Sequence, residues 1–210
     1  MVDPATLLAF CVAALVVLII PGPGVAYVTA QAITSGWRGG VVSAAGLSVG
    51  VLAHVAAAAV GLSALLLLSA KAMTIVKFAG AAYLIYLGWT MLQSGASDLA
   101  TREAPHKAHG RLFVDGVAVS VLNPKIAVFF LAFLPQFIDP VADSPQLQIV
   151  ILGLIYCGLA FVTDSLYALA AHAVSKRVVA SAIRGFPFSK IGGWMMIGLG
   201  VKAAFTDLRK

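Results

Sequence analysis

The chain has 210 residues, 61% of them hydrophobic and 10% charged, with a net charge of +6 and a mean hydropathy of +1.00. Soluble domains are about half apolar and about a quarter charged, so an ordinary soluble domain is excluded and an integral membrane protein is expected. The basic balance calls for no nucleic-acid partner, because lysines and arginines in short loops facing anionic lipid account for it.

Six apolar stretches follow one another at 5–33, 41–69, 72–92, 112–138, 146–172 and 187–206. They are continuous rather than alternating, which predicts helices and excludes an outer-membrane barrel. Most are long enough to cross about 30 Å of hydrocarbon. The expected fold is therefore all-α, with six transmembrane helices.

The first span opens "MVDPATLLAF", with an acid and no basic lead-in, and is expected to be retained rather than cleaved as a signal peptide. It is interrupted by "PGPG", Pro21 to Gly24. In the second span Gly46, Gly50 and His54 recur every four residues, so His54 lies on a small-residue face predicted to pack inward. The "GLSVG" within it is a GxxxG pattern, suited to packing inside the bundle or to a homodimer. The third span carries Lys77 near its start, and Tyr83 and Tyr86 three apart; Tyr83 is a candidate pocket residue. The polar segment 93–111 follows, and its His106 and His109 read as a solvated loop.

The fourth span holds "SVLNPKIAVFFLAFLPQF", with Asn123, Pro124 and Lys125 in a row about 16 Å into the membrane at 1.5 Å per residue. Asn is a good N-cap and Pro suits the first helical position, so a new half-helix over 124–138 is predicted to start there. Asp164 stands inside the fifth span. Cys11 and Cys157, each within an apolar span, read as packing residues; no metal site or cofactor is expected.

Segment 93–111 divides the chain into 1–92 and 112–210, each with three spans. An odd number of spans per half forces opposite orientations, the topology of two inverted three-helix repeats. Both halves open with a proline-containing break, and paired breaks point to a transport site at the repeat interface. The candidate substrate-binding residues are Pro21, Gly22, Pro23, Gly24, Asn123, Pro124, Lys125 and Tyr83. Two helix N-termini and the Lys125 ammonium would receive a carboxylate. Intramembrane ionisable residues are functional candidates. Protonation relieves the cost of a buried Asp, which makes Asp164 the expected proton carrier, with His54 as its partner. Basic residues concentrate in the loops after spans one, three and five, which predicts cytoplasmic loops there and both termini outside.

The pieces "PGPG", "SGWRGG", "AGLSVG", "KFAGAAYLIYLGW", "NPKIAVFFLAFLPQF" and "GWMMIGLGVKAA" occur in this order over nearly the whole chain. In them the chain resembles the LysE/RhtB-type amino-acid exporters, the lysine and homoserine/threonine efflux proteins. The resemblance implies six helices, multi-pass insertion in the bacterial inner (plasma) membrane, and export of small amino acids driven by the proton gradient. The expected partners are an amino-acid substrate, protons and the lipid bilayer. With no second central acid, neutral substrates are favoured over cationic ones. The alternatives are an exporter of another small solute, such as a metal cation, or a channel. A membrane enzyme is disfavoured by the lack of a nucleophile–base or metal motif.

Overall fold

The computed structural model describes residues 2–68 and 108–174, with isolated helical positions between 78 and 93 and between 194 and 205. Most of expected spans three and six, Lys77, Tyr83 and His106 lie outside the described residues. The regular elements among the described residues are helical: α1 (Pro4–Ile19), α2 (Pro23–Leu68), α3 (His109–Val121), α4 (Pro124–Val128) and α5 (Pro145–Ala173). Two of them, over Pro23–Gly61 and Pro145–Ala173, hold stretches long and apolar enough to cross a membrane. A third candidate is the pair His109–Val121 and Pro124–Phe137, bent by 47°.

α1 starts on Asp3, whose carboxylate accepts from the Ala5 and Thr6 amides at 3.1 Å, with Pro4 at the first position. It ends where Ile20 turns extended, and α2 resumes at Pro23. α2 is two limbs. Gly36 has φ 76° and ψ 176°, a conformation only glycine adopts readily. The limbs then run back along each other: a Cβ on Gly40 would lie 2.7 Å from Ala32 Cβ, and one on Gly24 would lie 3.4 Å from Leu47 Cδ1. The sequence predicts a loop over 34–40. The structure reverses the chain at a single residue instead, because "SGWRGG" offers a left-handed position followed by two side-chain-free ones.

The second limb of α2 packs on α3 through the face that carries Gly46 and Gly50. A Cβ on Gly46 would strike the Phe113 carbonyl, and one on Gly50 would lie 2.5 Å from Ser120 Cβ. The GxxxG pattern is thus occupied within the chain. Gly50→Ala is expected to force these helices apart and cost about 2 kcal/mol. The check is thermal unfolding of the purified variant in detergent.

α4 keeps α-helical geometry for only five residues, then passes through a π turn (Phe129–Phe133) and a 3-10 turn (Leu134–Phe137). The half-helix expected over 124–138 is present, but of mixed pitch. The looser turn lets Phe129, Phe130 and Phe133 all enter the core, where Phe10, Leu152 and Tyr156 are also fully buried. Along α5 one face is buried (Ile149, Leu152, Tyr156, Ala160, Asp164, Ala168), while Leu147, Leu154, Val162 and Leu166 are exposed. Leucines and valines covering the outer surface on this scale suit a lipid environment.

Candidate functional site

Both proline breaks leave helix-end carbonyls without intrahelical partners, and each is closed by side chains from the other half. At the end of α1, Lys125 Nζ donates to Val17 O at 3.0 Å and to Ile20 O at 2.8 Å. Tyr167 Oη donates to Ile19 O at 2.6 Å. A cation is well matched to this end of a helix, where the dipole is negative. At the end of α3, the His54 ring meets Ser120 O through Nε2 at 3.0 Å. Asn123 then caps the next helix, its Oδ1 accepting from the Lys125 amide at 3.0 Å.

The positions correspond. Ile19 precedes Pro23 by the same interval as Ser120 precedes Pro124. One further interval carries His54 to Tyr167, Gly40 to Gly153 and Val55 to Ala168. Gly40 packs against Ala168, with a Cβ there 2.7 Å from Ala168 Cβ. Gly153 packs against Val55, with a Cβ there 2.7 Å from Val55 Cγ1. Exchanging the halves turns one contact into the other.

Between the breaks lies a cavity of about 30 Å³ lined by Leu18, Gly24, Val25, Leu47, Val51, Ser120, Asn123, Lys125, Ile126, Tyr156, Ala160 and Asp164. The same intervals relate Gly24 to Lys125, Val25 to Ile126, Leu47 to Ala160 and Val51 to Asp164. The chemistry is unequal. Where the first half has Gly24 and Val51, the second has a cation and an anion.

Asp164 is 8% exposed. It makes no hydrogen bond or ion pair among the described residues, and Lys125 is the opposite charge acting on it. Lys125 uses two of its three donors on α1 carbonyls, leaving one for an occupant. Two buried hydroxyls on the wall, Tyr156 Oη and Ser120 Oγ, lack a partner among the described residues. Leaving such a group unpaired costs about 1–3 kcal/mol.

Of the sequence-derived candidates, Gly24, Asn123, Lys125 and Asp164 converge on this cavity. Gly22 lies beside it, since a Cβ there would be 3.4 Å from Lys125 Nζ. Pro21, Pro23 and Pro124 shape the breaks without lining the cavity. His54 does not line it either: its ring stacks on Phe130 at 6.2 Å and engages Ser120 O. Tyr83 lies outside the described residues. Tyr156 and Ser120 were missed. The signal for Tyr156 was the four-residue spacing Tyr156, Ala160, Asp164 on one face of α5.

The LysE type translocator family model matches residues 15–206. The homoserine/homoserine lactone efflux protein of Salmonella typhimurium is 44% identical over 135 residues, 63% of this chain and 64% of that protein. The protein of the same name from Salmonella typhi matches to the same extent. The chain thus spans just under two thirds of the length of these relatives. An uncharacterized membrane protein of Vibrio cholerae is 33% identical over 147 residues, 70% of this chain and 71% of its own length. No solved structure matches. An apolar helical chain, broken at two prolines around a charged cavity and matched over nearly its whole length, belongs to the LysE type translocator family.

Proposed function

We propose that the chain exports small neutral amino acids or their derivatives, of the homoserine and homoserine lactone class, across the bacterial inner membrane in exchange for protons. One observation carries this reading: a cavity at two helix breaks whose wall bears one cation, Lys125, and one anion, Asp164. A zwitterionic amino acid presents the complementary pair. Its carboxylate takes the remaining Lys125 donor and its ammonium faces Asp164. The names of the Salmonella relatives support the substrate class.

Protons enter through the same carboxylate. Asp164 holds either the substrate ammonium or a proton, and this exclusion couples the two fluxes. His54, bonded to the Ser120 carbonyl behind the cavity wall, is its proposed partner on the proton route. Residues 1–92 and 112–210 form inverted three-helix repeats, a reading supported by the exchanged caps and the exchanged glycine contacts. The cavity accommodates about two water molecules, so an amino acid enters only when the halves part. Arg38 and Arg111 stand at one end, where Gly39 packs on Leu112, which supports placing that end in the cytoplasm. A homodimer would use a face other than Gly46–Gly50, which α3 covers.

The test is reconstitution into proteoliposomes with labelled homoserine and an imposed pH difference. Uphill movement that collapses with the pH difference is expected. Release that needs neither a gradient nor counter-substrate would make the protein a channel. No movement of any neutral amino acid would end the exporter reading.

A further inference from the structure

The Tyr156 side chain is fully buried, yet its hydroxyl has no partner among the described residues. Packing gives no reason for that hydroxyl. The ring lies against Phe129 at 4.6 Å and 31°, and against Phe130 at 5.3 Å and 76°, and a phenylalanine would make the same contacts. Those neighbours hold the ring in place on the cavity wall. Tyr156 and Asp164 share a face of α5 with the small Ala160 between them, and all three line the cavity. Ser120 Oγ is a second unpartnered hydroxyl on the same wall, contributed by α3.

We propose that Tyr156 Oη, assisted by Ser120 Oγ, reads an oxygen on the substrate side chain and so sets a preference for oxygen-bearing over aliphatic amino acids. This rests on the exporter reading above and names the group that selects within it. A tyrosine hydroxyl can donate to the alcohol oxygen of homoserine or to the carbonyl oxygen of its lactone. One donor therefore serves both homoserine and its lactone, although the lactone lacks the free carboxylate that Lys125 would hold. A substrate ending in a methyl group leaves the buried hydroxyl unpaired, and sites built around such a donor reject analogues lacking the acceptor.

The experiment is competition against labelled homoserine uptake in proteoliposomes, with homoserine lactone and 2-aminobutyrate, the same skeleton without the hydroxyl, as competitors. For the wild type, 2-aminobutyrate, which keeps the same carboxylate and ammonium, should compete at least tenfold more weakly than homoserine; the lactone, which lacks the carboxylate that Lys125 would hold, should also compete more weakly than homoserine. In Tyr156→Phe that tenfold preference should fall to about one, with 2-aminobutyrate transport retained; Ser120→Ala should reduce it by a smaller factor. Equal loss for all three compounds in Tyr156→Phe would make the residue structural and overturn the proposal. A wild type that accepts 2-aminobutyrate as well as homoserine would overturn it too, even if the variant fails to insert, and would leave export intact. A wild type that moves none of them removes the exporter reading and this proposal together.

Discussion

Asp164→Asn is expected to abolish accumulation of substrate against its gradient while leaving exchange across the membrane. Asp164 is buried in the cavity wall, with no hydrogen bond among the described residues and Lys125 as its opposite charge. A carboxylate so placed changes state by gaining a proton or a cationic partner, since burying it bare and charged is costly. Asparagine keeps an oxygen that accepts from the substrate ammonium but can neither gain nor lose a proton. Binding should weaken by about tenfold, because a charge-assisted hydrogen bond is replaced by a neutral one. Transport in proteoliposomes with and without an imposed pH difference decides it. If the variant still concentrates substrate in response to the gradient, the proton route runs elsewhere.

Lys125→Met is expected to damage both architecture and transport. It removes the donors that satisfy Val17 O and Ile20 O and leaves Asp164 without its opposite charge. Two uncapped carbonyls and an uncompensated carboxylate together are expected to cost about 3–5 kcal/mol. The double variant Lys125→Met with Asp164→Asn should recover part of that stability and none of the export, because the stranded charge is gone while the cap is still missing. Thermal unfolding of both variants and of Asp164→Asn forms the cycle that isolates the coupling between the two residues. Transport supplies the second readout: Lys125→Met should impair free amino acids far more than their amides. Equal impairment of both would reduce Lys125 to a helix cap.

The membrane class, the helical secondary structure and the two proline breaks were legible in the residues themselves, because each depends on local physics. Hydropathy needs only composition. The start at Pro124 needs only an Asn–Pro pair, and its Asn123 cap is present in the structure. The inward face of Gly46, Gly50 and His54 follows from a four-residue period, and all three positions do meet α3 or its end. Likewise Asp164, a rare acid in an apolar run, announced itself by its cost.

What tertiary structure alone decided is which of these local features meet. The sequence placed Lys125 at the head of its own helix, but its ammonium crosses to the far side of the break and caps α1, because helix-end carbonyls buried away from water must find donors wherever the fold brings them. His54 and Asp164 were paired because they stand on equivalent helices, yet they go to different places: His54 crosses to the end of α3 in the other half, while Asp164 faces the cavity that also holds Lys125. Tyr156 looks like any core aromatic in one dimension. Its hydroxyl becomes a feature of the site only because Phe129 and Phe130, brought inward by a π turn, fix the ring on the wall of a cavity that also holds Lys125 and Asp164. Periodicity and cost are written along the chain, whereas the partner of a buried polar group is set by packing between segments far apart in sequence.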